Sequence, residues 1–334
     1  MHSPSAADRV AQWAAAAEAD LLGRRREAQG IGPNLRRTRG RVAVVTDSAS
    51  ALPLNADGTP ALGVLGEHLS VVPIPVMIDY PHRAAQMYPE ASAELDRDLP
   101  LAVAQGIGVR TSRPSPGQLS ETYRSLEERG FAGIVSVHLS AKLSGTADAA
   151  RLAAEEVAIP VAVIDSRQAG LALGEAVIEA GITARLGGSL RETARTAQQT
   201  SAAADSLFVV PSLEQLRRGG RINRLSSIVG SLMGVKPLLG LRGGEVVLLE
   251  RPRSLARAVE RLRAAALDSA AGNPQARLGV HCFGNPEQGA ALADEIAEHS
   301  AAPVPVVELP PALAAHLGLG VLAVSITPGR PAER

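Results

Sequence analysis

One cysteine, two lysines and 2% aromatic residues are what this 334-residue sequence has least of. With Cys282 alone, an internal disulfide and a cysteine-built metal cluster are both excluded. Acidic and basic residues balance at 34 each, so no field of one sign argues for DNA or RNA. Arginine replaces lysine everywhere except at Lys142 and Lys236, a skew that records a GC-rich genome rather than a function. No apolar run reaches the length of a membrane span, so stable membrane insertion is not expected. The opening stretch places its alanine run before Arg24-Arg25-Arg26, the wrong order for a secretory signal, and a cytoplasmic protein is expected.

Several catalytic signatures are missing as well. There is no G-x-x-x-x-G-K-[ST] phosphate loop and no G-x-S-x-G elbow. GLGVLA, from Gly318, resembles a dinucleotide fingerprint, but too little chain follows it to build the βαβ unit that gives the pattern meaning. The histidines, His138, His281 and His316 among them, lack metal-ligand spacing. No metal and no cofactor are expected.

What is present is a repeated α/β grammar. RVAVVTDS, PIPVMIDY, GIVSVHLS and PVAVIDS are apolar runs ending at Asp47, Asp79, Ser140 and Asp165-Ser166. Helical stretches over 116–129, 145–157 and 168–185 separate most of them. Strand, polar end and helix in repetition predict a doubly wound parallel sheet, whose ligands gather beyond the strand carboxyl ends. Residues 1–40 read as a helical extension and linker lying on the body, and 41–204 as the parallel α/β domain. From 205 to 328 a second α/β domain is expected, with a mixed sheet and a hairpin at Gly243-Gly244. A short helix there stops at Gly219-Gly220 and a second helix follows.

Three polar stretches interrupt this pattern. HLSAKLSGT is a strand-to-helix elbow where backbone N–H groups at Ser144, Gly145 and Thr146 lack intrahelical partners, a natural anion site. An ordinary N-cap explains the same residues, and for this element alone it suffices. In RTSRPSPGQ, Ser115, Pro116 and Gln118 form a capping box, which leaves Thr111 and Ser112 without a structural reason. In RRGGRI the double glycine permits a sharp turn that aims Arg221, whose forked donors suit a carboxylate or phosphate. A solvated arginine cluster would leave the same trace.

Taken together, VAVVTDS, RTSRPSPGQ, SVHLSAKLSGT, VAVIDS, LEQLRRGGRI, GSLMGVKPLL and HLGLG, in this order, resemble the DegV family of bacterial fatty-acid-binding proteins over about residues 42–326. The resemblance implies two α/β domains with a long-chain fatty acid in an apolar tunnel between them. It also implies a non-catalytic subunit that presents the acyl carboxylate to a separate ATP-dependent fatty acid kinase, for phospholipid metabolism. By the same resemblance Thr111, Ser144 and Gly145 hold the carboxylate, with His316 close by and Arg221 at the head group or the kinase contact. Arg110, Ser112, Asp47 and Thr146 are secondary candidates. A tunnel lined by Leu, Val and Ala agrees with the scarcity of aromatics.

The chain departs from the family pattern in three places. Arg110 replaces the first threonine of TTSxPS, HTGPG reads HLGLG from His316, and the YRDG-like stretch after PVMIDY is missing. An alternative is a small-molecule enzyme that uses the strand-end Asp47 and Asp165 with His316 as acid and base.

Overall fold

The computed structural model describes residues 4–29, 41–82, 84–88, 92–221 and 234–329. The chain begins with α1 (Ala6–Gln29), β1 (Arg41–Asp47), α2 (Gly63–Gly66), β2 (Leu69–Val72), β3 (Val76–Asp79) and β4 (Gln86–Tyr88). It continues through α3 (Ala93–Ala104), β5 (Gly108–Thr111), α4 (Pro116–Glu128), β6 (Phe131–His138), α5 (Thr146–Ala154), β7 (Val161–Asp165), α6 (Leu171–Arg185) and α7 (Leu190–Ala203). Then come β8 (Asp205–Val209), α8 (Glu214–Arg218), β9 (Leu238–Arg242), β10 (Glu245–Glu250) and α9 (Leu255–Ala270). Last are β11 (Arg277–Cys282), α10 (Pro286–Ile296), β12 (Val306–Glu308), α11 (Pro311–Leu317) and β13 (Leu322–Thr327).

Four strands form a parallel sheet in the order β2-β1-β6-β7. Alternation along β1 sends Val42 and Val44 into one apolar cluster with α6 and α7, and Ala43 and Val45 into another with α4 and α5. Strands covered on both faces in this way read as unbroken apolar runs, and that is how β1 and β6 read in the sequence. Six strands form the mixed sheet β10-β9-β8-β13-β11-β12. Helices α9 and α10 cover one face of it. The α/β class with one parallel and one mixed sheet is as the sequence predicts.

One strand departs from the expectation. PIPVMIDY does not continue the parallel sheet: β3 pairs antiparallel with β4 and β5 in a separate three-stranded sheet. The place beside β1 belongs to β2, which ends at Val72. Pro73 and Pro75 explain the break, since neither can donate to a ladder. β3 also alternates between buried and half-buried residues, the habit of a strand with one covered face. Its buried side, with Val76, Ile78 and α3, joins Phe208, Leu239 and Ala314 in a single apolar cluster, so residues 76–103 share a core with the C-terminal half.

Local signals hold where a few neighbouring residues decide them. Ser115 and Gln118 cap α4 reciprocally, with Pro116 in the first turn. The β9–β10 hairpin turns at Gly243 and Gly244, both at positive φ, 60° and 85°. The helix expected after Gly220 and the first four residues of the GSLMGVKPLL motif, 230–233, lie outside the described residues. Helix α1 packs onto the body through Trp13, Ala17 and Leu21.

Candidate functional site

A cavity lies between the carboxyl ends of the parallel strands and the mixed sheet. Its volume is about 250 Å³, just below the ~300–1,000 Å³ of common ligand sites. Leu139, Phe208, Leu241, Leu309, Leu313 and Val324 supply much of its apolar wall. The polar lining at one place comes from Thr111 and Ser112 after β5, Ser144 and Gly145 before α5, Arg221 after α8, and His316 near the end of α11. Five of the nine residues singled out from sequence are therefore brought together as the principal set, and Ser112 joins them.

Their local geometry shows what each can do. Thr111 Oγ1 lies 2.9 Å from His316 Nε2. Nδ1 of His316 is buried and has no hydrogen-bond partner among the described residues. Burial, together with the nearby Arg221 charge, lowers the His316 pKa from 6.5 to about 4. The ring is therefore neutral at physiological pH. Gly219 is what lets the ring lie there, because a Cβ at that position would collide with Nδ1. The double glycine thus has two separate uses: Gly219 clears the histidine, and Gly220, at φ +70°, ends the turn.

The elbow differs from an ordinary cap. Gly145 occupies the N-cap position of α5 and supplies no side-chain cap. Ser144 stands one residue earlier, its Oγ 2.8 Å from Thr146 Oγ1 and accepting the Thr146 N–H at 3.3 Å. Thr146 itself is fully buried and does not reach the cavity. Ser140 anchors the elbow to the other half of the molecule, donating to the Gly244 carbonyl at 2.7 Å. Arg221 donates from Nε to the Leu143 carbonyl at 3.3 Å and also reaches the Gly219 carbonyl. No carboxylate pairs with it among the described residues, and burial holds its guanidinium below the usual arginine value.

Two secondary candidates are occupied elsewhere. Asp47 is fully buried, where it accepts the Ala49 and Leu139 amides at 3.1 and 3.0 Å and meets His138 Nδ1 at 2.9 Å. It ties loop amides together instead of facing the ligand space. Arg110 turns outward, 60% exposed, and grips Asp79 with Nε and Nη2 at 2.6 and 2.8 Å. The acid–base trio of Asp47, Asp165 and His316 is not assembled either. Asp165 Oδ1 accepts the Ala141 and Arg167 amides, each at 3.0 Å, and like Asp47 it stays out of the cavity lining. A hydrogen-bonded row Asp47–His138–Ser136–Tyr123 does exist, but all four side chains are fully buried, so no substrate meets its serine.

Among the lining residues that the sequence reading did not place in the site are Arg113, Gly170 and His281. His281 Nε2 accepts the Leu171 N–H at 2.9 Å, capping the first turn of α6 from the other sheet, while Nδ1 donates to the Val307 carbonyl at 3.1 Å. Gly170, at φ +62°, must be glycine, since a Cβ would stand 2.6 Å from that same Nε2. No spacing in the sequence links positions 110 residues apart.

Among the described residues no group of three or more His, Cys, Asp or Glu could hold a metal ion, and no helix is long and apolar enough to cross a membrane.

This arrangement has close parallels. A DegV domain-containing protein of Streptomyces coelicolor is 38% identical over 288 residues, 86% of this chain and 98% of that one. One from Mycobacterium tuberculosis is 32% identical over 296 residues, with 86% and 98% covered. Among solved structures, a fatty-acid-binding DegV family protein from Thermus thermophilus superposes with a TM-score of 0.75 at 31% identity, covering 86% of this chain and 99% of its own. DegV from Bacillus subtilis, also a fatty acid binding protein, shares the fold at a TM-score of 0.74 and 23% identity, with 86% and 99% covered. The family described as "uncharacterised protein, DegV family" matches residues 41–329, and the chain belongs to the DegV family.

Proposed function

We propose that this protein binds one long-chain fatty acid in the cavity and presents its carboxylate to a separate ATP-dependent kinase subunit in the cytoplasm. In this reading residues 41–204 and 205–328 are the two domains on either side of the acyl chain, and the protein performs no chemistry of its own. The acyl phosphate made by the kinase would enter phospholipid synthesis. The observation that carries the reading is that Thr111, Ser144, Gly145, Arg221 and His316 gather at one place in a wall that is otherwise mostly apolar.

The chemistry of the cluster supports a carboxylate. A carboxylate out of water needs donors, or it takes up a proton. Thr111 and Ser144 offer hydroxyls, the elbow offers the Gly145 N–H, its neighbours at 144 and 146 being bonded to Ser140 and Ser144, and Arg221 offers charge. Because His316 is neutral, its Nε2–H can donate to Thr111 Oγ1. That tautomer leaves Nδ1 as a bare lone pair and frees the Thr111 proton for the ligand. Burial of the acyl chain supplies the affinity, at roughly 0.8 kcal/mol per CH₂.

Native mass spectrometry of the purified protein tests the binding. A co-purifying acid of about fourteen to eighteen carbons is expected, as is uptake of added palmitate by delipidated protein. Protein that carries no acid and takes up no palmitate would refute the reading. For the kinase step, Arg221→Ala should weaken palmitate about tenfold, the scale of one charge-assisted contact, and at saturating palmitate should still lose acyl-phosphate formation with a cognate kinase and ATP. Loss of palmitate binding with intact turnover of the residual complex would place Arg221 in carboxylate binding alone.

A further inference from the structure

We propose that Arg113 reads the charge of the ligand head group, completing on the Gly145 side an anion site that Arg221 forms on the Leu143 side. The inference rests on the fatty-acid reading above and adds to it a residue that selects ionised lipids over neutral ones of the same length.

The first observation is placement. Arg113 lines the cavity together with Thr111 and Ser112. Its side chain lies against the backbone of Gly145: a Cβ built there would stand 3.0 Å from Nη1 and 3.2 Å from Cδ. Arg221 Nε meanwhile donates to the carbonyl of Leu143, two residues earlier. The elbow Leu143-Ser144-Gly145 is thus flanked by two guanidinium groups, and a carboxylate at Ser144 would lie within reach of both. Glycine at 145 has a reason in this geometry, since any side chain would push Arg113 off the elbow.

The second observation is that the charge of Arg113 is unspent. Among the described residues it makes no ion pair, whereas Arg110, three residues earlier, is held bidentately by Asp79. Arg113 is exposed, so an unpaired guanidinium costs little there, but it faces the one place where a ligand's negative charge would arrive.

The third is rigidity. The segment that carries Arg113 is pinned on both sides. Thr111 pairs with Val76, the Ser112 amide donates to the Pro75 carbonyl at 3.1 Å, and Ser115 enters the capping box of α4. Its backbone is therefore preorganised, so an arginine on it loses less freedom when it meets an anion than one on a loose loop would.

The consequence is a charge filter. Palmitate and 1-hexadecanol share a chain of sixteen carbons and differ at the head group. Both would bury the same apolar surface, and only palmitate would meet the two cations. The alcohol could still accept from Thr111 or Ser144, so it should bind, with no contribution from Arg113.

The test is equilibrium titration of both lipids into delipidated full-length protein, wild type against Arg113→Gln. The substitution should weaken palmitate about tenfold, the scale of one charge-assisted contact, and leave hexadecanol within about twofold. Raising salt from about 0.05 to about 0.5 M should narrow the palmitate difference, because the site is open to screening. Arg113→Lys should recover part of the loss by restoring charge without the fork. Equal palmitate affinity in wild type and Arg113→Gln would overturn the inference while leaving the fatty-acid reading standing. Equal losses for palmitate and hexadecanol would overturn it too, since Arg113 would then be packing against the chain. Failure of the wild type to bind palmitate would overturn both.

Discussion

Thr111 Oγ1 and His316 Nε2 meet at 2.9 Å across 205 residues of sequence, joining the end of β5 to α11. The contact makes His316 a positioning residue for the threonine hydroxyl. Thr111→Ala should weaken palmitate about tenfold or more, the cost of one hydrogen bond to a charged group. His316→Gln should weaken it by a similar factor if the ring works through Thr111. The double substitution should then lose little beyond either single one, whereas Ser144→Ala, acting in parallel, should add to Thr111→Ala nearly in full. A double-mutant cycle on palmitate affinity reads this directly. Strict additivity of the Thr111 and His316 substitutions would show that the ring contributes by its own route.

Arg110 occupies the position where the family pattern has a threonine, and its pair with Asp79 turns it from the cavity. Arg110→Thr should therefore leave palmitate affinity unchanged at every pH tested. A loss that disappears under acid conditions would show that Arg110 swings inward when ligand binds.

His281 predicts a pH dependence of stability. Burial lowers its pKa from 6.5 to about 4, and the neutral ring accepts the Leu171 N–H on Nε2. Between these values the unfolded chain binds the extra proton, so its contribution is whole above 6.5 and is lost as pH falls toward 4. The span corresponds to roughly 3 kcal/mol at most. Unfolding by urea should show a lower midpoint at about pH 5 than at pH 7. His281→Gln should lower stability at neutral pH and flatten that slope. An unchanged slope in the variant would assign the dependence to other groups.

Helix α1 lies outside the family match, yet it is bound to both halves of the molecule. Trp13 Nε1 donates to Glu175 Oε1 at 2.6 Å in α6, while Asp20 meets Arg277 of β11 at 2.9 Å and Arg9 pairs with Asp294 of α10. Arg277 also reaches Glu175 and Glu179, at 3.3 and 3.0 Å, so the three elements share one ion network. Trp13→Ala should cost about 3–5 kcal/mol of stability, by cavity formation and loss of the Glu175 bond. Thermal unfolding with hydrogen exchange would measure it, and a negligible shift would mean that α1 docks too weakly to matter.

Short-range chemistry wrote several features legibly into the chain. The Ser115–Gln118 capping box, the Gly243-Gly244 turn and the buried runs of β1 and β6 depend on residues within a few positions of one another. Steric and hydrogen-bonding rules at that range act before any tertiary contact forms. The motif series likewise pointed to Thr111, Ser144, Gly145, Arg221 and His316 as one site. What the chain did not show is which partner each polar group meets across space. Asp47 and Asp165 look like ligand residues until folding lays loop amides on them, and Arg110 looks like a head-group residue until antiparallel pairing of β3 and β5 sets it beside Asp79. The neutrality of His316 and His281 comes from desolvation, a property of the surrounding packing that no local spacing encodes. Trp13 found Glu175 at a separation of 162 residues because two apolar faces closed on each other, and a buried indole N–H needs an acceptor.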